Sequence, residues 1–296
     1  MIDKKKDYKA WLYLAPAIIA ILLFTIYPII STVITSFNHG YNPIMSNPWN
    51  HAGWGFGNYS ELFGIKGAQF QTALLNTSII VFVSVPLTTI VALLIAVGLN
   101  SIKPFQRFFQ IIFFTPYVTN TIAIGMVFAM VFGSADAGGM INGLFKGNTD
   151  FLGLGSPFWL KHLVLQIYML WNGLAFKILI FLGGLQNIGD HYYNAARIDG
   201  TSKGRMFSKI TLPLLSPTIT YILITSVIGA FKTYTAVVGL FANSAAANEM
   251  MTIVGFVYEN INTNYGLAAA GSVVLFIIIM IFTGIQALVT RKKVHF

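Results

Sequence analysis

Ala17-Ile18-Ile19-Ala20-Ile21-Leu22-Leu23-Phe24 and Val273-Val274-Leu275-Phe276-Ile277-Ile278-Ile279 contain no polar side chain and no alternation. Strands that cross an outer membrane alternate apolar and polar residues at period two over about 10 positions. These runs therefore belong to helices. A bilayer core is crossed by about 20 predominantly apolar residues in helical form. Six windows meet that requirement, at 11–36, 72–99, 108–132, 163–188, 214–238 and 266–290. Lys177 and Lys232 are their only formal charges, and the windows hold no Asp, Glu or His. The expected fold class is an all-α integral membrane protein with six transmembrane helices.

Composition agrees with that reading. Of 296 residues, 56% are hydrophobic and 9% charged, with a mean hydropathy of +0.72. A soluble domain carries about 25% charged residues, so a soluble enzyme is excluded. The net charge of +9 does not indicate nucleic acid, because a basic footprint needs a charged stripe on a water-facing element. The absence of cysteine removes disulfides, thiol catalysis and Cys-ligated metal. Lys4, Lys5, Lys6 and Lys9 precede the first window in the manner of a signal peptide, but its 26 residues exceed the roughly 7–15 of a signal's apolar region. It is expected to be a retained first span.

Orientation follows from the distribution of Lys and Arg. The N-terminus, 101–107, 189–213 and the tail after 290 hold 13 basic residues, whereas the opposite loops hold Lys66, Lys146 and Lys161. Both termini and the loop at 189–213 are thus expected in the cytoplasm. The outside loops at 37–71 and 133–162 are rich in Gly, Asn and aromatic residues, which suits a docking surface.

The cytoplasmic segment 189–213 separates the functional classes open to a six-helix protein. Asp190 is placed to cap a short helix that Asp199-Gly200 ends. Thr201 or Ser202 is placed to cap a second helix that Pro213 ends. Tyr192, Tyr193, Met206 and Phe207 form an apolar face, while Arg197, Lys203, Arg205 and Lys209 keep the other face wet. This pattern suits a helix that docks in a partner's groove; a basic loop lying on lipid headgroups is the competing reading.

Asn194-Ala195-Ala196, three residues, Gly200, nine residues, Ile210, one residue and Leu212-Pro213 form a spacing that resembles the EAA loop of ABC importer permeases. Asp199-Gly200-Thr201 with Ile210-Thr211-Leu212-Pro213-Leu214-Leu215 is similar to the carbohydrate-uptake branch related to the maltose permeases. Further similar stretches are Phe56-Gly57-Asn58-Tyr59, Asn76-Thr77 with Val85-Pro86-Leu87, Gly139-Met140-Ile141-Asn142 and Phe181-Leu182-Gly183-Gly184-Leu185-Gln186. Two departures stand out. Asn194 occupies the position of the family's glutamate, and Leu240-Phe241-Ala242-Asn243-Ser244-Ala245 replaces a Thr-x-Gly-Gly-Pro stretch.

The resemblance implies a single permease domain over 1–296 with the type I importer fold, in a bacterial cytoplasmic membrane. Its partners would be a homologous second permease, two cytoplasmic ATPases and an extracytoplasmic binding protein that delivers a sugar or oligosaccharide. Tyr193, Asn194, Ala195, Ala196, Asp199, Gly200, Ile210, Leu212 and Pro213 would then form the ATPase-coupling site. ATP and Mg would sit on the partner ATPases, because the chain has no Gly-x-x-x-x-Gly-Lys-[Ser/Thr] loop. No catalytic residue, cofactor or metal is expected on this chain. A sugar pathway combines aromatic faces with hydrogen-bonding groups, which brings forward Tyr168, Trp171, Asn172 and Phe176 on the fourth window. Tyr221 and Tyr234 on the fifth, with Lys177 and Lys232, complete that set; aromatic packing and a satisfied interior cation are the competing readings. A stand-alone channel or secondary carrier is the alternative function.

Overall fold

Proline sets the local form of three helices. A proline removes one N–H and crowds the carbonyl four residues before it. In the computed structural model, π-helical turns at Leu22–Ile26, Ile80–Ser84 and Phe207–Thr211 each end two residues before a proline: Pro28, Pro86 and Pro213. The wider turn absorbs the crowding, so each helix runs past its proline, the third only as far as Leu214. The structure describes residues 7–41, 53–64, 67–102, 106–134, 136, 138–242, 245, 247 and 249–291. Lys4, Lys5, Lys6, Lys66, Lys103, Lys292 and Lys293 of the charge pattern, with Asn243 and Ser244, lie outside them.

In chain order, α1 joins Asp7–Ile21, Leu22–Ile26 and Tyr27–Ser36. After it come α2 (Gly57–Phe63), α3 (Ala68–Ser101), α4 (Gln106–Val118), α5 (Thr121–Val131), α6 (Met140–Phe145) and α7 (Phe158–Gln186). The remaining helices are α8 (Asp190–Ile198), α9 (Lys203–Leu214), α10 (Ser216–Phe231), α11 (Thr235–Phe241), α12 (Ile253–Asn260) and α13 (Tyr265–Arg291). Among the described residues the only β pairing is an isolated bridge between Asn38 and Trp54.

Among the described residues, four helices are long and apolar enough to cross a membrane unaided: α1, α3, α7 and α13. The expected third and fifth spans differ from their windows. The 108–132 window is two helices, because Asn120 leaves the helical conformation and its side chain accepts from the N–H groups of Ile122 (2.9 Å) and Ala123 (3.2 Å). The cap starts a new helix inside an otherwise apolar run. The 214–238 window is likewise interrupted: α9 and α10 meet at a 65° bend, and α10 stops at Phe231 before α11 begins. The helix of the fourth window, α7, begins at Phe158, five residues before that window, so Lys161 and His162 lie on it. The expectation of spans without histidine is corrected there; the two polar residues depressed local hydropathy without ending the helix.

The chain forms two compact units. One comprises residues up to Phe70 with Phe256–Phe276. Within it, the buried Asn58 amide donates to the carbonyls of Ser36 (2.9 Å) and Asn38 (3.2 Å), and the Tyr59 hydroxyl pairs with Ser36 Oγ at 2.7 Å. The Phe56-Gly57-Asn58-Tyr59 stretch thereby closes the end of α1, where the last carbonyls lack helical partners.

The other unit comprises Gln71–Gly255 with the chain from Ile277. Its core is Ala92, Ala96 and Leu99 of α3 against Ile178, Phe181, Leu182 and Leu185 of α7, with Leu215 at the α9–α10 bend and Ile222. Small residues let the helices approach here: a Cβ on Gly184 would lie 2.8 Å from Leu215 Cδ1. Polar pairs along the α3–α7 seam are Asn76–His162, Ser84–Gln166 and Thr88–Lys177. α5 and α11 cross closer still, since a Cβ on Gly125 would lie 2.6 Å from the Gly239 Cα.

At that crossing neither backbone has a side chain that could yield. Gly125→Val is expected to destabilise the protein by more than the roughly 1–3 kcal/mol of ordinary overpacking, read as a lower melting temperature in detergent. Gly98→Ala, where a Cβ meets nothing within 4 Å, should melt like the wild type.

Candidate functional site

The segment 189–213 folds as two helices around a glycine turn. The chain enters through extended Gly189, which is the cap residue, so Asp190 is the first helical residue and not the cap. Its carboxylate still lies in the first turn, where the helix dipole favours negative charge. At the other end Gly200 adopts φ +67°, with Gly200 N–H on Arg197 O (3.1 Å) and Thr201 N–H on Ala196 O (2.9 Å). This double bond pattern closes a helix on a left-handed residue, a conformation that glycine adopts without Cβ strain. Ser202 precedes α9, and Pro213 does not end it: the helix runs on to Leu214.

α8 is anchored on one face and open on the other. Ala196 is buried, and half-buried Tyr193 packs against the α3–α7 core with its hydroxyl 3.0 Å from Thr211 Oγ1. Asn194, Ala195, Asp199 and Gly200 are exposed, and Ile198 presents 87% of its surface. A cleft of about 320 Å³ between α8 and α9 brings together Ala195, Ala196, Asp199, Arg205, Lys209 and Ile210. Asn194, Gly200, Leu212 and Pro213 lie outside the cleft lining. Arg205 and Lys209, read from sequence only as the wet face, stand across it from Asp199. Arg197 Nη1 donates to Asn194 Oδ1 at 3.3 Å, so the residue in the glutamate position is engaged by its own helix.

The candidate pathway residues divide by location. Tyr168 is fully buried; its hydroxyl donates to Thr121 O (2.7 Å) and accepts from Asn172 Nδ2 (3.2 Å). It thus holds a carbonyl at the α4–α5 break. Trp171 leans on Phe128 at 5.7 Å, and Phe176 stacks on Tyr117 at 5.8 Å. These four gather around the two half-helices. Lys177 turns to the second span, its ammonium 2.6 Å from Thr88 Oγ1. Tyr221 is half exposed on α10, while exposed Lys232 and half-buried Tyr234 lie at the break before α11.

Asn76 and Thr77 show a role that the sequence reading left unassigned. The Asn76 amide donates to the carbonyls of Glu249 and Met251, both at 2.8 Å, and its Oδ1 lies 3.1 Å from His162 Nε2. Thr77 Oγ1 accepts from Ile253 N–H at 3.1 Å, and Thr252 Oγ1 donates to Thr233 O at 2.7 Å. A continuous set of bonds therefore joins α3, α7, the segment before α12 and the α10–α11 break. In sequence, the sign was an amide-hydroxyl pair within an apolar run. Among the described residues no three His, Asp or Glu side chains converge as metal ligands.

Comparison with known proteins gives consistent likenesses. The family described as "Binding-protein-dependent transport system inner membrane component" matches residues 84–295. An arabinooligosaccharides transport system permease protein of Bacillus subtilis is 33% identical over 284 residues, covering 93% of this chain and 86% of that protein. A lactose transport system permease protein of Rhizobium radiobacter is 29% identical, covering 97% and 95%. A trehalose/maltose permease protein of Thermococcus litoralis is 28% identical, covering 96% and 94%. Among solved structures, a chain of a bacterial ABC transporter involved in alginate import superposes with a TM-score of 0.82 at 19% identity, covering 98% of both chains. That likeness shows a shared fold.

The Asn76 network carries a measurable consequence. Asn76→Leu leaves two carbonyls and an imidazole without their partner, at about 1–3 kcal/mol for each buried group. Amide hydrogen exchange at Met250–Ile253 should accelerate strongly in the variant, and unchanged exchange would show that the segment is held by other contacts.

Proposed function

Because the chain belongs to the binding-protein-dependent transport system inner membrane components, we propose that it forms one half of the membrane pathway of an ABC importer for a sugar or oligosaccharide. It is a multi-pass membrane protein and a transport subunit. The observation that carries the reading is α8: a short, glycine-closed helix fixed to the α3–α7 core through Tyr193 and exposing Asn194, Ala195 and Ile198. A helix anchored on one side and bare on the other is suited to receive force from a partner.

In this reading two cytoplasmic ATPases bind and hydrolyse ATP with Mg, one of them pressing on α8. A homologous permease supplies the other half of the pathway. An extracytoplasmic binding protein hands over the solute, and the relatives that transport arabinooligosaccharides, lactose and trehalose or maltose make a sugar the best-supported class. Both termini and α8 face the cytoplasm, in keeping with the basic residues gathered there. Tyr168, Trp171, Asn172 and Phe176, around the broken third and fifth spans, are the residues nearest the proposed path. Broken helices at membrane depth are tolerated where their backbone is buried in protein or lines a cavity.

Three measurements test this. Gly200→Trp forces a left-handed φ on a residue that pays about 1–2 kcal/mol for it; sugar uptake should collapse while basal ATP hydrolysis persists, and wild-type uptake would refute the coupling role. The chain has no cysteine, so single cysteines report sidedness directly. Ser202→Cys should react from the cytoplasmic side and Leu144→Cys from outside, and the reverse would overturn the orientation. Asn194→Asp should first pair with Arg197 on the same helix, an interaction of about 0.2–0.5 kcal/mol. Coupled ATP hydrolysis should then change little in size and become slightly more salt-dependent.

A further inference from the structure

Opposite charges face each other across the α8–α9 cleft without touching. Asp199, the residue that ends α8, lines one side, and Arg205 and Lys209 of α9 line the other. Among the described residues none of these three side chains makes an ion pair or a hydrogen bond. Asn194, in the position of the family's glutamate, is neutral and already accepts from Arg197. The exposed face of α8 therefore offers no carboxylate there. We propose that the acidic group of the coupling contact comes from the other side: an Asp or Glu of the cytoplasmic ATPase enters the cleft and is bound by the Arg205 guanidinium and the Lys209 ammonium. The inference rests on the coupling role proposed for α8 and names the chemistry which that site takes from its partner.

The lining decides the chemistry. Arg205 and Lys209 lie four residues apart, so they project from one face of α9, and both are exposed. A guanidinium fork beside a compact ammonium suits the two oxygens of one carboxylate. The segment 189–213 carries four basic residues against Asp190 and Asp199, so its field draws acidic groups. Asp199 narrows the choice of partner. A lipid phosphate offers that carboxylate no donor, whereas a folded protein surface can set a hydroxyl or a backbone N–H beside an acid. Ile198, exposed over 87% of its surface, adjoins the cleft in sequence and adds an apolar contact to the same end of α8. The cleft's volume of about 320 Å³ is at the lower end of the range for ligand pockets, about 300–1,000 Å³. It admits a side chain and not a helix.

The test uses the complete importer, reconstituted in vesicles with its ATPases and binding protein. A water-soluble carbodiimide joins a lysine amine to a carboxylate in contact with it, and peptide mass spectrometry identifies both residues. Lys209 should be joined to an Asp or Glu of the ATPase, and the product should vanish in Lys209→Arg, whose guanidinium does not react. Arg205→Gln with Lys209→Gln should lower binding-protein-stimulated ATP hydrolysis several-fold and flatten its salt dependence, whereas Lys203→Gln, outside the cleft, should change neither. Lys209 joined to Asp199 of its own chain would show that the cleft closes on itself, and Lys209 joined to the second permease would assign the cleft to that interface; either overturns the proposal. No product, together with unchanged hydrolysis in the double variant, overturns it and leaves the coupling role of α8 standing. A defect that disappears when phosphatidylglycerol is omitted from phosphatidylcholine vesicles would assign the cleft to lipid headgroups, which also overturns it. If no ATPase copurifies with the chain, the coupling role and this contact fall together.

Discussion

A helix interrupted within apolar surroundings leaves N–H and carbonyl groups that hydrocarbon cannot satisfy, and this chain has few charges to place beside them. The rest of the structure depends on how those groups are met. Asparagine meets such groups repeatedly, within the spans and at their ends. Asn58 closes the end of α1, Asn76 holds the segment before α12, and Asn120 starts α5. Asn142 knits 133–149 by donating to Gly133 and Thr149 carbonyls and accepting from Thr149 N–H. An amide suits the task because it donates and accepts at once without carrying a charge into a low dielectric.

Once the breaks are stabilised, the half-helices can do what continuous spans cannot. α5 and α11 meet backbone to backbone at Gly125 and Gly239, and Tyr168 and Thr252 each hold a carbonyl at one of the adjoining breaks. Proline acts in the opposite sense at the three π-helical turns, where it widens a helix without ending it. The protein thus separates two kinds of irregularity. The turns before Pro28 and Pro86 leave α1 and α3 continuous, the cap at Asn120 divides α4 from α5, and the helix that carries Pro213 bends at Leu215.

The class of fold was legible in the sequence because hydrophobicity integrates over 20 or more residues and tolerates local exceptions. α1, α3, α7 and α13 emerged within a few residues of their windows for that reason. The breaks at Thr119–Asn120 and Lys232–Tyr234 were hidden by the same averaging: one amide, or one lysine and two hydroxyl residues, barely alters the mean. The turn at Gly200 was legible because few other residues adopt that conformation readily. The cleft facing Asp199 was not, since it depends on α9 returning beside α8. Asn76 illustrates the remaining limit. Its type and place were visible, yet the two carbonyls it holds lie more than 170 positions away in sequence, and no local pattern encodes them.

The seam between α3 and α7 bears on how force could pass through this subunit. Three polar pairs along its length, Asn76–His162, Ser84–Gln166 and Thr88–Lys177, bind the two helices as one body. Thr88 also donates to Ser84 O at 2.7 Å, so the ammonium of Lys177 meets a hydroxyl whose proton is already engaged and whose lone pairs are free. At the lower end of this body the apolar core takes in Tyr193 of α8 and Leu215 of the α9–α10 bend. A displacement of α8 therefore reaches α3 and α7 through packed side chains, and reaches α10 through a bend of 65° with buried Leu215 at its corner. Cores at this density are not continuously deformable. A push applied to α8 is accordingly expected to move the seam and the buried Leu215 corner together.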